Sequence, residues 1–287
     1  MYCVDAADRD TLVKMIIEQT YSLIKKKYSE GHKNLVVADC RIGFYLTVVR
    51  LSDGSIGICS TLNSDNPICA KPHRDFGDLT PLKIKGQKVM DILESPKKSG
   101  IISTLKTAVL SALSSKIIAS GNYHIIENCD PVQLLDIGPD KTVTIVGAFH
   151  SYISEIKQNC KKLYVLELDE STIPPNQKNL YVPADKFQSV IPVSDIVIIT
   201  GQAIINQTID DLLSAVSPGT QVAVTGPSGN ILPDILFENK VTVLGTFRIT
   251  NPELLFDLVS EGGRGYHLYR YCAEKICILK NNGTRTQ

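Results

Sequence analysis

Five short runs of valine, isoleucine and leucine recur in the second half of the chain, and they constrain the fold more than any other feature. Each run is nearly continuous in apolar residues, which is typical of parallel strands covered on both faces. We predict strands at 142–147, 162–168, 195–200, 221–226 and 241–245, with helices at 150–160, 207–216, 230–238 and 251–260. This alternation predicts a doubly wound, Rossmann-like parallel sheet.

The first half follows a different pattern. Apolar residues at steps of three and four predict an amphipathic helix over 8–28. Strands are then predicted at 34–40, 43–51 and 55–62, with further helices near 86–94 and 101–119. The Ser-Asp-Gly sequence at 52–54 suits a tight hairpin turn. This order predicts an α+β domain built on an antiparallel meander.

The change of pattern predicts a domain boundary. We assign residues 1–124 to the α+β domain and residues 125–287 to the Rossmann-like domain. A chain of 287 residues suits one large or two medium domains.

The composition of the chain limits the kinds of molecule that we expect it to bind. The chain has 30 basic and 30 acidic residues, whereas proteins that bind nucleic acid normally carry a basic excess. No stretch approaches the ~20 apolar residues that span a bilayer. The first ten residues contain acids where a signal peptide has positive charge. We therefore expect a cytoplasmic protein that binds neither nucleic acid nor membrane, with a homodimer as the default assembly.

Cysteine spacing does not indicate a zinc site. None of the eight cysteines forms a C-x-x-C pair. Cys69 and His73 lie close together in a proline-rich loop and could chelate a metal, but a buried cysteine usually behaves as a small hydrophobic residue.

The carboxyl ends of the predicted parallel strands form the candidate site, because ligands bind there in open sheets. Glycine follows four of the five strands and allows a ligand to approach the backbone closely. Neighbouring hydroxyls and amides can bind the ligand, and helix N-termini favour negative charge. The predicted ligand-binding residues are Gly147, Thr200, Gly201, Asn206, Thr208, Thr225, Gly226, Pro227 and Ser228.

His150 and Glu167 are the candidates for chemistry at this edge. An imidazole and a carboxylate can transfer a proton or bind a transition metal, so both are predicted as catalytic residues and as metal ligands. Glu167 lies 20 residues after Gly147, where a dinucleotide site keeps its ribose-binding acid. The G-x-G-x-x-G glycines are missing, however, and the bulky Phe149 argues against NAD.

Four segments carry a family resemblance: TIVGAFHSYI, LYVLELD, SDIVIITGQAIINQTIDDLL and VAVTGPSGNILPDILF. In this order they resemble the putative heavy-metal chelation family over about residues 125–280. The resemblance implies an enolase-N-terminal-like domain, matched by order of elements, followed by a Rossmann-like domain. It also implies a ligand site between the two domains, with the strand ends as its floor and the first domain as its roof. Asp39 and Arg41 are candidates for that roof.

Three functions are consistent with these observations. The first is binding of a small anionic ligand or a metal complex in an interdomain cleft, with a role in heavy-metal chelation. The sequence identifies neither the ligand nor a transition metal, and it does not show whether the protein catalyses a reaction. The second is a nucleotide- or SAM-dependent enzyme with a degenerate Rossmann site. The third is a regulatory or scaffold module that has no enzymatic activity.

Overall fold

The computed structural model describes residues 15–28, 31–62, 79–97 and 99–280. The beginning of the helix expected over 8–28 lies outside the described residues, as do Cys69 and His73. The described part of that helix, α1, spans Ile16–Lys27 and buries Ile16, Thr20 and Ile24.

The first half contains the antiparallel meander that the sequence predicts. Its strands are β1 (Val37–Ile42), β2 (Leu46–Leu51) and β3 (Ile56–Ser60), in that spatial order. At the turn between β2 and β3, Gly54 has a φ of +86° and its N–H donates to the Leu51 carbonyl at 2.9 Å. A left-handed backbone at this position explains why the turn contains glycine.

Two helices complete the first half, namely α2 (Val89–Leu93) and the long α3 (Gly100–Ser120). Helix α3 packs so closely on β3 that a Cβ atom at Gly57 would lie 2.1 Å from the Ala108 carbonyl oxygen. By length and composition α3 could cross a membrane, but 67% of its most apolar window is buried inside the protein. The expectation that no segment approaches such length and apolarity is therefore wrong for α3, which serves as a core helix.

The second half is built on one sheet of eight strands. The strands are β4 (His124–Glu127), β5 (Thr142–Val146), β6 (Lys162–Glu167), β7 (Tyr181–Pro183), β8 (Ile196–Thr200), β9 (Gln221–Thr225), β10 (Val243–Ile249) and β11 (Ala273–Leu279). Their spatial order is β4-β11-β10-β9-β8-β5-β6-β7, and the neighbours from β10 to β7 are parallel. The Rossmann-like fold predicted from the five apolar runs is confirmed.

The sequence did not indicate the antiparallel end of this sheet. Strand β11 pairs with β10 in antiparallel register from Val243↔Leu279 to Ile249↔Ala273, and β4 pairs antiparallel with β11. Charged residues interrupt the apolar pattern of β11, as at Glu274 and Lys275. The sheet therefore continues beyond its parallel part through a strand that lacks the continuous apolar pattern.

The helices of the second half are short. They are α4 (His150–Ile156), α5 (Phe187–Val190), α6 (Gln202–Ile205), α7 (Ile209–Ser214), α8 (Pro233–Glu238), α9 (Pro252–Ser260) and α10 (Gly265–Tyr271). The four expected helices are present, but each is shorter than predicted. A helix of one or two turns provides little aligned dipole, so its N-terminus adds little to anion binding.

Polar contacts join the two halves of the chain. The Asn230 side chain donates to Ser111 at 3.0 Å and to Ser115 at 2.8 Å, both on α3, and accepts from Thr246 at 2.9 Å. Asn230 and Ser111 are buried, so these bonds satisfy polar groups that would otherwise be costly to bury. The network fixes the position of α3 over the larger sheet.

Candidate functional site

The order of the strands reverses between β5 and β8. From β5 the chain builds outward through β6 and β7 on one side, and from β8 through β9 and β10 on the other. In open α/β sheets such a reversal separates the neighbouring loops at the carboxyl ends and leaves a crevice.

A pocket of about 330 Å³ lies at this reversal, and we call it the switch-point pocket. Its lining residues are Ser60, Gly147, Ala148, Phe149, Glu167, Thr200, Gly201, Gln202, Gly226, Pro227 and Ser228. Seven of them are residues that the sequence predicted, and these are Gly147, Glu167, Thr200, Gly201, Gly226, Pro227 and Ser228. Ser60 comes from the end of β3, so the first half of the chain contributes to the wall.

Gly147 shapes the turn after β5. Its φ is +103°, and a Cβ atom here would lie 3.2 Å from the Cβ of Thr200. Only glycine adopts this backbone without strain while leaving the neighbouring strand end in place.

Glu167 stabilises the same turn through hydrogen bonds. One oxygen of its carboxylate accepts the Ala148 N–H at 2.8 Å, and the other accepts the Leu168 N–H at 2.7 Å. The Gly147 and Phe149 N–H groups donate to carbonyl oxygens within the protein, at 2.8 and 2.9 Å. The amides that would bind a pyrophosphate in a dinucleotide site are therefore engaged internally, which argues against a standard NAD pose.

The two threonine–glycine corners pack against each other. The Gly201 N–H donates to the Thr225 carbonyl at 2.7 Å. A Cβ atom at Gly201 would lie 2.4 Å from the Gly229 nitrogen, and Gly226 has a φ of +111°. The missing side chain of Gly201 allows the two backbones to approach each other, whereas a Cβ atom at Gly226 would meet only the Gly201 nitrogen, at 3.8 Å.

Ser228 connects the floor of the pocket to its roof. Its side-chain oxygen accepts the Ser60 N–H at 2.9 Å, and the residue is only 1% exposed. Ser60 gives no signal in the sequence, because its part in the pocket depends on how the two halves pack.

His150 does not line the switch-point pocket. It is exposed and begins α4, while the preceding residue, Phe149, lines the pocket and stacks on Tyr152 with 5.2 Å between ring centroids. The turn thus presents the phenylalanine where the sequence suggested the imidazole. Asn206 and Thr208 are likewise exposed outside the lining, since they flank the short connection between α6 and α7.

The remaining predicted residues lie elsewhere. Thr225 is buried behind the pocket, where its carbonyl bonds to Gly201. Asp39 and Arg41 pair with each other on β1 at 2.5 Å, and the Arg41 guanidinium lies over the Phe256 ring. Ser60, not this pair, provides the roof.

The described lining residues of the pocket do not form a site for a bare heavy-metal ion. Within the described ranges, no group of three or more His, Cys, Asp or Glu side chains could hold a metal. The polar side chains of the lining are one carboxylate, three hydroxyls and one amide, from Glu167, Ser60, Thr200, Ser228 and Gln202. Soft transition metals prefer sulfur or imidazole ligands, and none of the described lining residues provides one.

A larger cavity of about 440 Å³ lies between α3, the β2–β3 turn and β10. Its basic side chains pair with carboxylates, as in the Lys116–Asp53 and Arg248–Glu127 contacts at 2.6 and 2.7 Å. We favour the switch-point pocket as the candidate functional site because its glycine corners and polar side chains lie at the topological crevice.

Comparisons with known proteins agree with this architecture. Residues 130–278 match the model of the DUF364 family, and residues 25–114 match that of the DUF4213 family; both are described as putative heavy-metal chelation. None of the curated proteins matches the sequence.

The solved structures that match this chain include two with the same fold. A DUF364 protein with unknown function from Pyrococcus horikoshii is 21% identical with a TM-score of 0.74, covering 93% of this chain and 100% of its own. Another, from Desulfitobacterium hafniense DCB-2, is 18% identical with a TM-score of 0.67, covering 91% and 99%. The DUF364 match spans more than half of the sequence, and the chain therefore belongs to this putative heavy-metal chelation family.

Proposed function

We propose that the protein binds a small, oxygen-rich anionic ligand, or a metal complex of that ligand, in the switch-point pocket. The observation that carries the proposal is the convergence of both glycine corners, Glu167 and Ser60 on one crevice. Such a crevice is the usual ligand site of open α/β sheets. Its hydroxyl, amide and carboxylate groups suit a hydroxylated partner.

In this proposal, any metal is bound as a complex with the organic ligand and not as a free ion. Because the described residues contain no cluster of metal-binding side chains, the ligand itself would supply most of the donor atoms. The protein would then recognise the organic shell through hydrogen bonds.

Blocking the pocket tests the proposal. Gln202 is exposed and lines the pocket, so Gln202→Trp fills the space without disturbing the core. Asn206→Trp is the matched control, because it is also exposed, lies next to α6 and is outside the lining. Thermal-shift measurements would use citrate and gluconate, each alone and with Co²⁺, Ni²⁺, Zn²⁺ or Fe²⁺.

We expect stabilisation of the wild type and of Asn206→Trp, and its loss in Gln202→Trp. A ligand at 100 times its Kd adds about 2.7 kcal/mol to the free energy of unfolding. Equal stabilisation of both variants, or none in the wild type, would contradict the pocket proposal. A larger shift with a metal alone than with its chelate would contradict the chelate proposal. NAD, ATP and SAM belong in the same screen, and a shift with one of them would favour the nucleotide-dependent alternative.

A further inference from the structure

The switch-point pocket has the wrong charge for an anion. Among its described lining residues the one ionisable side chain is Glu167, whose carboxylate is negative. The helices beside the pocket are too short to supply much positive potential. If the ligand is anionic, a cation at the rim has to compensate for its charge.

Arg264 is such a cation. Its guanidinium lies 4.1 Å from the centroid of the Tyr45 ring and donates a hydrogen bond to the Tyr45 hydroxyl. No carboxylate of the described residues forms an ion pair with it. A guanidinium has five N–H donors, so most of them remain for another acceptor. Tyr45 therefore orients the charge without neutralising it.

Two contacts place the backbone of this pair next to the lining of the pocket. Gly265, which follows Arg264, packs against Pro227 of the lining, since a Cβ atom there would lie 3.7 Å from the Pro227 ring. On the other side, the Tyr45 carbonyl accepts the Thr61 N–H at 2.9 Å, and Thr61 follows Ser60 of the lining. Arg264 and Tyr45 are thus joined to each other, and each is close in sequence or by a backbone hydrogen bond to a neighbour of the lining.

We propose that Arg264 is the anion anchor of the switch-point pocket. It binds the carboxylate or phosphate of a ligand whose uncharged, hydroxylated part occupies the pocket. The planar guanidinium suits both oxyanions because it can donate two parallel hydrogen bonds. This inference rests on the proposed function and names the residue that makes the site selective for anions.

Exposed aromatic and arginine side chains also occur at protein interfaces. Phe44 is 65% exposed and packs edge-on against Tyr45, with 4.7 Å between ring centroids. The approach of Gly265 to Pro227 and the hydrogen bond from Thr61 to Tyr45 favour a ligand site over a separate interface. Sedimentation velocity on the wild type and on Arg264→Gln decides between them. A wild-type dimer that becomes a monomer in Arg264→Gln would indicate an interface and overturn the anchor.

Three matched probes test the anchor, namely gluconate, sorbitol 6-phosphate and sorbitol. They present a carboxylate, a phosphate or no charge on a similar hydroxylated chain. Binding is followed by NMR on ¹⁵N-labelled protein, through the amides of Gly147 and Gly226 and the Nε–H of Arg264. We expect at least one anionic probe to shift all three signals, and the comparison between the two identifies the preferred oxyanion.

Arg264→Gln should weaken binding of that probe about tenfold, as expected for loss of a charge-assisted hydrogen bond at an exposed site. Arg270→Gln, which removes an exposed arginine from the other end of α10, should change Kd less than about twofold. Tyr45→Phe keeps the ring but removes the hydroxyl that orients Arg264, and it should weaken binding to an intermediate degree. The affinity for sorbitol should not change in any of these variants.

The outcomes separate the two proposals. The anchor would be overturned if Arg264→Gln bound the probe with wild-type affinity, or if the Arg264 and Arg270 variants lost affinity equally. It would also be overturned if neither anionic probe bound. Loss of binding in Gln202→Trp but not in Arg264→Gln removes the anchor and leaves the pocket proposal intact. If Arg264→Gln weakens binding of the anionic probe but Gln202→Trp binds it as well as the wild type does, the anion binds outside the pocket. This result would refute both the pocket proposal and the anchor.

Discussion

The substitution Gly201→Ala tests whether the two corners of the switch-point pocket are as close as the structure shows. A Cβ atom at Gly201 would lie 2.4 Å from the Gly229 nitrogen and 2.9 Å from the Ser228 carbonyl carbon. Both obstacles are backbone atoms, so no side chain can rotate away. One of the two segments has to move.

Hydrogen bonds hold both segments. The Gly201 N–H donates to Thr225 at 2.7 Å, and the Gly229 N–H donates to Gly226 at 2.9 Å. Overpacking of a rigid site costs about 1–3 kcal/mol, and loss of one hydrogen bond adds about 1 kcal/mol. We therefore expect Gly201→Ala to lower the free energy of unfolding by about 2–4 kcal/mol, or Tm by about 4–8 °C for a chain of this size.

Gly229→Ala is the matched control. It lies in the same corner, but its added Cβ would meet the nearest heavy atom, a Val224 methyl, at an ordinary 3.5 Å. We expect its stability to stay within about 1 kcal/mol of the wild type. The assay is thermal unfolding followed by circular dichroism. Equal Tm values for the two variants would refute the close approach of the corners.

Two further predictions concern charged groups. Glu167→Ala removes the acceptor of the Ala148 N–H and should lower the free energy of unfolding, measured by urea titration, by about 1–3 kcal/mol. A loss below about 0.5 kcal/mol would contradict the role of this carboxylate. Burial raises the pKa of Asp234, but hydrogen bonds from Tyr123 and Lys27 outweigh this effect and hold the pKa below the usual 3.8. This stabilisation is present above pH 3.8 and is lost as the pH falls through the lowered pKa, so the advantage of wild type over Asp234→Asn should shrink in acid. A stability difference that does not change between neutral pH and pH 3 in urea titrations would contradict it.

The family description and the pocket are compatible once the ion and its ligand are considered separately. Direct chelation by side chains would require several soft or borderline donors around one point, and the described residues do not provide them. Recognition of an organic chelate needs hydrogen-bonding groups and a compensating charge. Glu167, Ser228 and the proposed anchor Arg264 are placed to supply these.

Much of the fold could be predicted because its signals are local. The aliphatic runs predict buried parallel strands wherever they occur, and a glycine at the end of a strand indicates an unusual backbone or a close approach. Gly147 and Gly226 have positive φ, and Gly201 lies against another backbone. The carboxyl edge of the sheet could therefore be predicted as the candidate ligand edge from these residues alone.

The sequence by itself determined the strand–helix alternation, the antiparallel meander and the glycines at the strand ends, because each depends on residues close together in the chain. Tertiary structure alone decided that Phe149 and not His150 lines the pocket, that Ser60 joins it from the other half, and that Gly265, next to Arg264, approaches Pro227 of the lining. Those positions depend on the packing of α3 and the meander against the large sheet. Such packing brings together residues that are far apart in sequence, and no local pattern records it.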